Sequence, residues 1–178
     1  MPELLQPPQT TVVTGGAGWF GQALLHALAD TESIWHRPGA LRVLVHQEAD
    51  EARVLALAPQ ATVTVGDIAD ERAVRSLFDG LTGSIDVIHA AGVIHPKKVS
   101  DFERINSGGT RLMVETAERH GVRRFVHVSS NSPFGTNPKP DEFFRNDEPY
   151  SPYLGYGLSK MHAELHVKAA QDRGRWRP

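Results

Sequence analysis

The sequence predicts an α/β fold built on a doubly wound parallel sheet. Short apolar, β-branched runs alternate with segments of helical spacing along most of the 178 residues, and strands separated by helices pair in parallel because each parallel neighbour needs a long crossover. The first run ends in a glycine cluster that opens a helix, Thr14-Gly15-Gly16-Ala17-Gly18-Trp19-Phe20-Gly21. Helical crossovers cover both faces of such a sheet, so its strands are expected to be buried on both sides.

Thr10 to Thr14 is a β-branched run ending at the glycines, and Phe20 to Ala29 follows with helix formers at helical spacing. Leu41 to Val45 is the second apolar run and Glu48 to Ala58 reads as helix. Ala61 to Val65 alternates threonine with valine before Gly66-Asp67, and Asp70 to Asp79 reads as the next helix. Ile85 to Ala91 predicts a buried strand, Phe102 to His120 a long helix, and Arg124 to Ser129 a fifth strand. Asn131 to Pro152 breaks the rhythm with Pro133, Pro138, Pro140, Pro149 and Pro152. A loop of that length in a compact domain is usually functional or mobile, and it falls between the fifth strand and the Tyr156 helix, on the side where open α/β sheets bind ligands.

Composition bounds the function. With 40% hydrophobic and 22% charged residues, the chain supports one domain. We divide it into a tail, residues 1–9, and one folded domain, residues 10–178. The net charge of -2 comes with no dense basic run, which argues against nucleic acid as a partner. Cysteine is absent, which removes disulfides and thiolate chemistry. No stretch reaches the roughly 20 apolar residues a membrane helix needs, and the start lacks a basic region followed by an apolar core. The expectation is a soluble, cytoplasmic protein with no membrane partner.

Gly15, Gly18 and Gly21 form G-x-x-G-x-x-G between a strand and a helix. Such positions allow a tight turn, close approach of backbone to a pyrophosphate, and close helix packing, while the helix N-terminus favours the anion. Trp19 and Phe20 are expected to pack on the first helix, Trp19 also bordering the ligand. A carboxylate at Asp67, followed by Ile68, could accept a hydrogen bond from an adenine amino group, although Asp67 could equally cap the next helix. The small residues Ala90, Ala91 and Gly92 leave room for a ribose. At the end of the second strand stands His46, where an acidic residue would select NAD and an arginine NADP; the choice stays open.

Tyr156 and Lys160 are four apart on a predicted helix and share one face. A phenol ordinarily titrates near ~10, and a neighbouring ammonium favours the phenolate. The pair suits proton exchange at a carbonyl or alcohol oxygen. Ser129 and Ser130 end the fifth strand, where a hydroxyl could hold that oxygen or simply satisfy local backbone. Asn106 could orient Lys160 through a water or be an ordinary polar residue near a helix start. His162 and His166 lie one turn apart, but without the spacing of a zinc motif; they are read as exposed polar residues, and no metal is expected.

These motifs, with His89-Ala90-Ala91-Gly92, Asn106-Ser107-Gly108-Gly109-Thr110, Ser129-Ser130-Asn131-Ser132-Pro133-Phe134-Gly135 and Tyr156-Gly157-Leu158-Ser159-Lys160, resemble in order the extended short-chain dehydrogenase/reductase family, the NAD-dependent epimerase/dehydratase group. The resemblance implies a Rossmann-like fold, NAD or NADP as cofactor, and a small-molecule substrate. It implies Ser130 as the catalytic serine, with Tyr156, Lys160 and Asn106, and a homodimer through helices 102–120 and 156–171. Family members continue with a further core strand and a C-terminal substrate region, which this chain is expected to lack, leaving apolar surface beside the fifth strand and the Tyr156 helix. Two functions are therefore carried forward: an oxidoreductase or epimerase/dehydratase moving hydride at a hydroxyl or keto carbon, and a cofactor-binding protein without turnover.

Overall fold

A computed structural model describes residues 6–137, 139, 141, 143, 144, 149–174 and 176. Pro138 and Pro140 of the proline-rich loop and the closing Arg177-Pro178 lie outside the described residues. Five strands, β1 (Thr10–Thr14), β2 (Ala40–Val45), β3 (Thr62–Val65), β4 (Ile85–His89) and β5 (Arg124–His127), form one sheet in the order β3-β2-β1-β4-β5. Every pairing is parallel, with Thr14 opposite both Leu44 and His89. The α-helices among the described residues are α1 (Trp19–Ala29), α2 (Glu48–Leu57), α3 (Glu71–Ser76), α4 (Gly109–Arg119) and α5 (Leu154–Asp172).

Alternation along the strands sorts the core into two halves, since successive side chains point to opposite faces. Val13, Val43 and Val45 pack with Leu25, Leu28 and Val54 of α1 and α2. Val12, Leu44 and Val87 pack on the other face with Val74, Met113, Ala117 and Ala170 of α3, α4 and α5. All five residues of β1 are buried, as a central strand covered on both sides requires. At the lower edge, Asp86 accepts hydrogen bonds from the guanidinium groups of Arg123 and Arg124, tying β4 to β5.

Two expectations are corrected. The fourth strand stops at His89 because β1 stops at Thr14: Ala91 donates instead to the Thr14 hydroxyl, 3.2 Å away. The helix expected from Phe102 begins as a π-helical segment, Phe102–Gly108, and becomes α only at Gly109. The Thr110 hydroxyl donates to the Asn106 carbonyl at 2.6 Å, and a side chain bonding four residues back draws the carbonyl away from the regular ladder. The apolar surface expected beside β5 and the Tyr156 helix is present in part, at Val126, Leu158 and Leu165. Trp176 stacks on Phe125 with ring centroids 5.0 Å apart and donates its indole N–H to the Val122 carbonyl, although Val126 remains 52% exposed.

Candidate cofactor and active site

Strand order reverses between β1 and β4, and ligands of open α/β sheets bind outside the strand ends at such a switch point. There the turn after β1 meets the chain leaving β4 closely: a Cβ on Gly15 would lie 2.8 Å from the Ala90 carbonyl carbon and from the Ala91 nitrogen. Gly15 also has φ of 75°, a left-handed conformation natural to glycine. A Cβ on Gly21 would fall 2.0 Å from the Gly15 carbonyl oxygen, so helix α1 sits directly on the turn. The N-cap of α1 is Gly18, with no capping side chain and no acidic residue in the first turn. That leaves the positive end of the helix available to an anion.

A cleft of about 420 Å³ opens over these strand ends. It gathers Gly15 and Gly18 from the first turn, His46 after β2, Asp67 and Ile68 after β3, and Ala90, Ala91 and Gly92 after β4. Trp19, Phe20 and Gly21 are not among its lining residues. The expected packing role of Trp19 and Phe20 is overturned: Trp19 is 91% exposed, because α1 buries the stripe Gly21, Leu25 and Leu28 and turns both aromatics outward.

The cleft also contains groups that sequence reading passed over. Arg53 of α2 lines it and pairs with Asp50 at 2.9 Å. Asp67 receives the Ala69 N–H on one oxygen and the Arg104 guanidinium, at 2.6 Å, on the other, whereas Asp70 caps α3. Burial pushes the Asp67 carboxyl up, but those hydrogen bonds and the Arg104 charge outweigh it and hold it below the ordinary carboxylate value.

Helix α5 carries Tyr156 and Lys160 on adjoining turns. Leu154, two residues before Tyr156, holds φ of 58°, a conformation costly for a branched side chain. The Tyr156 ring packs on Phe102, centroids 5.9 Å apart. Lys160 is only 5% exposed, and its ammonium donates to the Val128 carbonyl at 2.7 Å, at the end of β5. Burial pushes it down to about 8, partly opposed by the Glu164 carboxylate.

The two serines separate. The Ser129 hydroxyl donates to Glu164, whose other oxygen accepts from Tyr150. Ser130 accepts the Ser132 N–H at 3.2 Å and bonds the Ser132 hydroxyl, a local turn. Asn106 is buried and does not bond Lys160 directly. Its amide donates to the Val93 carbonyl and the Ser159 hydroxyl and accepts the Val93 N–H, tying the π-helical segment to α5 beside Lys160. His162 and His166 are not simply solvated either, since His162 faces Glu103 at 3.0 Å and His166 approaches the Ser107 hydroxyl at 3.3 Å. Among the described residues no group of three or more is placed to hold a metal ion, and no helix is long and apolar enough to cross a membrane.

Beneath the site lies a buried pair of imidazoles. The Thr110 hydroxyl, already donating to Asn106, must accept from His89 Nε2–H at 2.9 Å; His89 Nδ1 then accepts from the Thr14 hydroxyl at 2.7 Å, which itself accepts from Ala91 N–H. The network assigns neutral His89 to its Nε2–H tautomer. His127 stacks on it, centroids 5.3 Å apart. Burial, and then the charge of Lys160, push His127 down to about 3; burial, His127 and Lys160 also hold His89 well below the usual imidazole value. Since the unfolded chain binds these protons near 6.5 and the folded chain does not, stability is fully present above that value and falls as pH drops towards the depressed folded values. Urea unfolding at pH 7 and pH 5 should differ by on the order of 1–2 kcal/mol per histidine, and a His89→Asn, His127→Phe double variant should lose that difference. An unchanged pH dependence in the double variant would show that other groups control acid unfolding.

Comparison with known proteins agrees with this architecture. The model of the NAD dependent epimerase/dehydratase family matches residues 11–178. Among curated relatives, an uncharacterized protein, y4nL, of Sinorhizobium fredii is 39% identical over 167 residues, covering 92% of this chain and 46% of its own length. A dTDP-glucose 4,6-dehydratase of Streptomyces antibioticus is 31% identical, with 86% of this chain and 46% of that protein covered. Among solved structures, the dTDP-glucose 4,6-dehydratase DesIV of Streptomyces venezuelae, crystallised with NAD, superposes with a TM-score of 0.72 at 26% identity, over 92% of this chain and 52% of that one. A short-chain dehydrogenase/reductase superfamily protein of Agrobacterium tumefaciens with bound NAD gives a TM-score of 0.70 at 25% identity, over 91% and 45%. The chain thus spans about half the length of the relatives it matches. With its Rossmann-like sheet and glycine turn, it belongs to the NAD dependent epimerase/dehydratase family.

Proposed function

We propose that the protein binds a nicotinamide adenine dinucleotide, NAD or NADP, in the cleft over the strand ends and acts on a hydroxyl or keto carbon of a small molecule. The observation that carries this reading is the close approach of Gly15 to Ala90 and Ala91 at the switch point, which leaves backbone and an uncapped helix N-terminus where a pyrophosphate needs them. The dinucleotide supplies or accepts the hydride when bound. The chain's own groups do the rest. Gly15 and Gly18 face the pyrophosphate, Asp67 and Ile68 the adenine, and Ala90 to Gly92 a ribose. Around His46, the Asp50–Arg53 pair offers a carboxylate to a ribose diol and a guanidinium to a 2'-phosphate. Tyr156 exchanges a proton with the substrate oxygen, Lys160 presents its ammonium to the developing phenolate and to the ribose, and Ser130 holds the oxygen after leaving its local bond to Ser132. Asn106 supports this group by fixing the stretch of α5 beside Lys160.

Pairing of two copies through helices 102–120 and 156–171 is part of the same proposal. Leu158 and Leu165, exposed and seven residues apart on α5, supply an apolar stripe. One experiment on the purified chain addresses both points. Titration with NADH and NADPH, read by nicotinamide fluorescence, should saturate for at least one, and light scattering of the same sample should give the mass of two chains. No saturable binding of either cofactor up to about 1 mM, a Kd worth only about 4 kcal/mol, would sink the functional reading; a monomer mass would remove the pairing.

A further inference from the structure

We propose that His127 is a positioning residue for Lys160, its imidazole Nε2 serving as a second acceptor that holds the ammonium at the end of β5. The inference goes beyond the catalytic set and rests on the proposed role of Lys160 in holding the cofactor. Its ground is geometric. Lys160 Nζ lies 2.7 Å from the Val128 carbonyl and 3.4 Å from His127 Nε2, at the outer limit of hydrogen bonding. An ammonium has only donors, so Nε2 must present its lone pair and the ring proton must sit on Nδ1.

That Nδ1 is enclosed without a hydrogen-bond partner. Leaving a buried polar group unmade is unfavourable, and an apolar ring would stack on His89 without this defect. The one polar atom of His127 with a partner is the one that faces Lys160. Packing alone therefore does not account for a histidine here; service to Lys160 does. The stacked neighbour reinforces the arrangement, because His89 has both nitrogens committed to Thr14 and Thr110 and so gives the His127 ring a neutral floor. Among the described residues, the titratable groups around Lys160 are His127 on β5, His89 on β4, and Glu164 and Tyr156 on α5 itself. Glu164 is engaged by Ser129 and Tyr150, which leaves His127 as the side chain bonded to the ammonium.

The test compares the full 178-residue chain with His127→Phe. NADH and NADPH are titrated by fluorescence from pH 6 to pH 10, and thermal unfolding is followed alongside. In the wild-type protein, affinity should fall as pH rises through the value near 8 at which Lys160 loses its proton. His127→Phe should keep or raise the unfolding temperature, bind cofactor about 3- to 10-fold more weakly at pH 7, in line with the net worth of one hydrogen bond, and begin its alkaline decline at lower pH. A variant with wild-type affinity and an unmoved decline would overturn the proposal, because a purely structural histidine would alter the unfolding temperature alone. Nitrogen NMR of the imidazole gives a readout that needs no cofactor and so separates this proposal from the functional one. His127 should carry its proton on Nδ1 between pH 5 and pH 7, and its Nε2 resonance should shift in Lys160→Met. A proton found on Nε2, or an Nε2 resonance indifferent to Lys160→Met, would refute the contact whether or not any dinucleotide binds.

Discussion

A Gly21→Ala protein is expected to unfold about 10 °C below the wild type, whereas Gly18→Val should stay folded and lose cofactor binding. The two glycines belong to one motif but meet different surroundings. A methyl on Gly21 would lie 2.0 Å from the Gly15 carbonyl oxygen and 2.7 Å from Gly16 Cα, both backbone atoms that cannot step aside. Relief requires lifting α1 from the sheet, which disturbs Leu25 and Leu28 in the core. Overpacking of this kind costs about 3 kcal/mol, and in a domain of this size each kcal/mol lowers the midpoint by about 2–4 °C. At Gly18 the nearest atom to an added Cβ is the Gly15 carbonyl oxygen, 3.3 Å away, and φ of -70° suits any residue. Valine there costs the fold about 1 kcal/mol as a poor N-cap, but its methyl groups stand where Gly18 lines the cleft. Fluorescence titration should show cofactor affinity reduced by at least about 100-fold, the loss of close backbone contact to the pyrophosphate. Wild-type affinity in Gly18→Val would move the pyrophosphate away from the first turn.

The contrast between these glycines marks what the sequence could and could not convey. Spacing identified the motif because the turn, the strand before it and the helix after it are contiguous, and the strand runs were legible because both faces of β1 select apolar or β-branched residues. Contacts across long sequence separations were not legible. The π-helical turn is tied to its surroundings by Asn106 reaching Val93 and Ser159, 13 and 53 residues away. Arg104, read only as part of a helix, is what holds Asp67. His89 stood in a run chosen for its small residues, yet its own ring joins Thr14 to Thr110. A polar residue in an otherwise buried strand was the available signal for His89, since buried imidazoles need partners. Trp19 was misread for the opposite reason. Aromatic character suggested burial, but its helical position, two before Gly21, lies off the buried stripe.

Tyr156→Phe and Lys160→Met are expected to separate chemistry from stability. Tyr156→Phe deletes one oxygen and keeps the ring that packs on Phe102. Cofactor affinity should stay within about 3-fold, while in any preparation that turns over, kcat should fall by about 10²- to 10⁴-fold, the usual weight of a general acid–base group. Retention of near-full kcat would assign proton exchange to another group. Lys160→Met should weaken cofactor binding but stabilise the fold. The buried ammonium, pushed from an ordinary 10.5 down to about 8, binds its proton less tightly folded than unfolded. Between those two values the unfolded state carries more protons, so wild-type stability rises with pH across that window; below about 8 the whole penalty of burying the charge is present. Methionine removes that penalty, though it also strips the Val128 carbonyl and His127 Nε2 of their donor, a loss of about 1–2 kcal/mol. The net gain at pH 7 is on the order of 1–2 kcal/mol. Urea unfolding of both proteins should show it shrinking as pH rises from 8 towards 10.5. A Lys160→Met protein less stable than wild type at pH 7 would mean that the hydrogen bonds of the ammonium outweigh its desolvation, and that Lys160 is held for the fold as much as for the site.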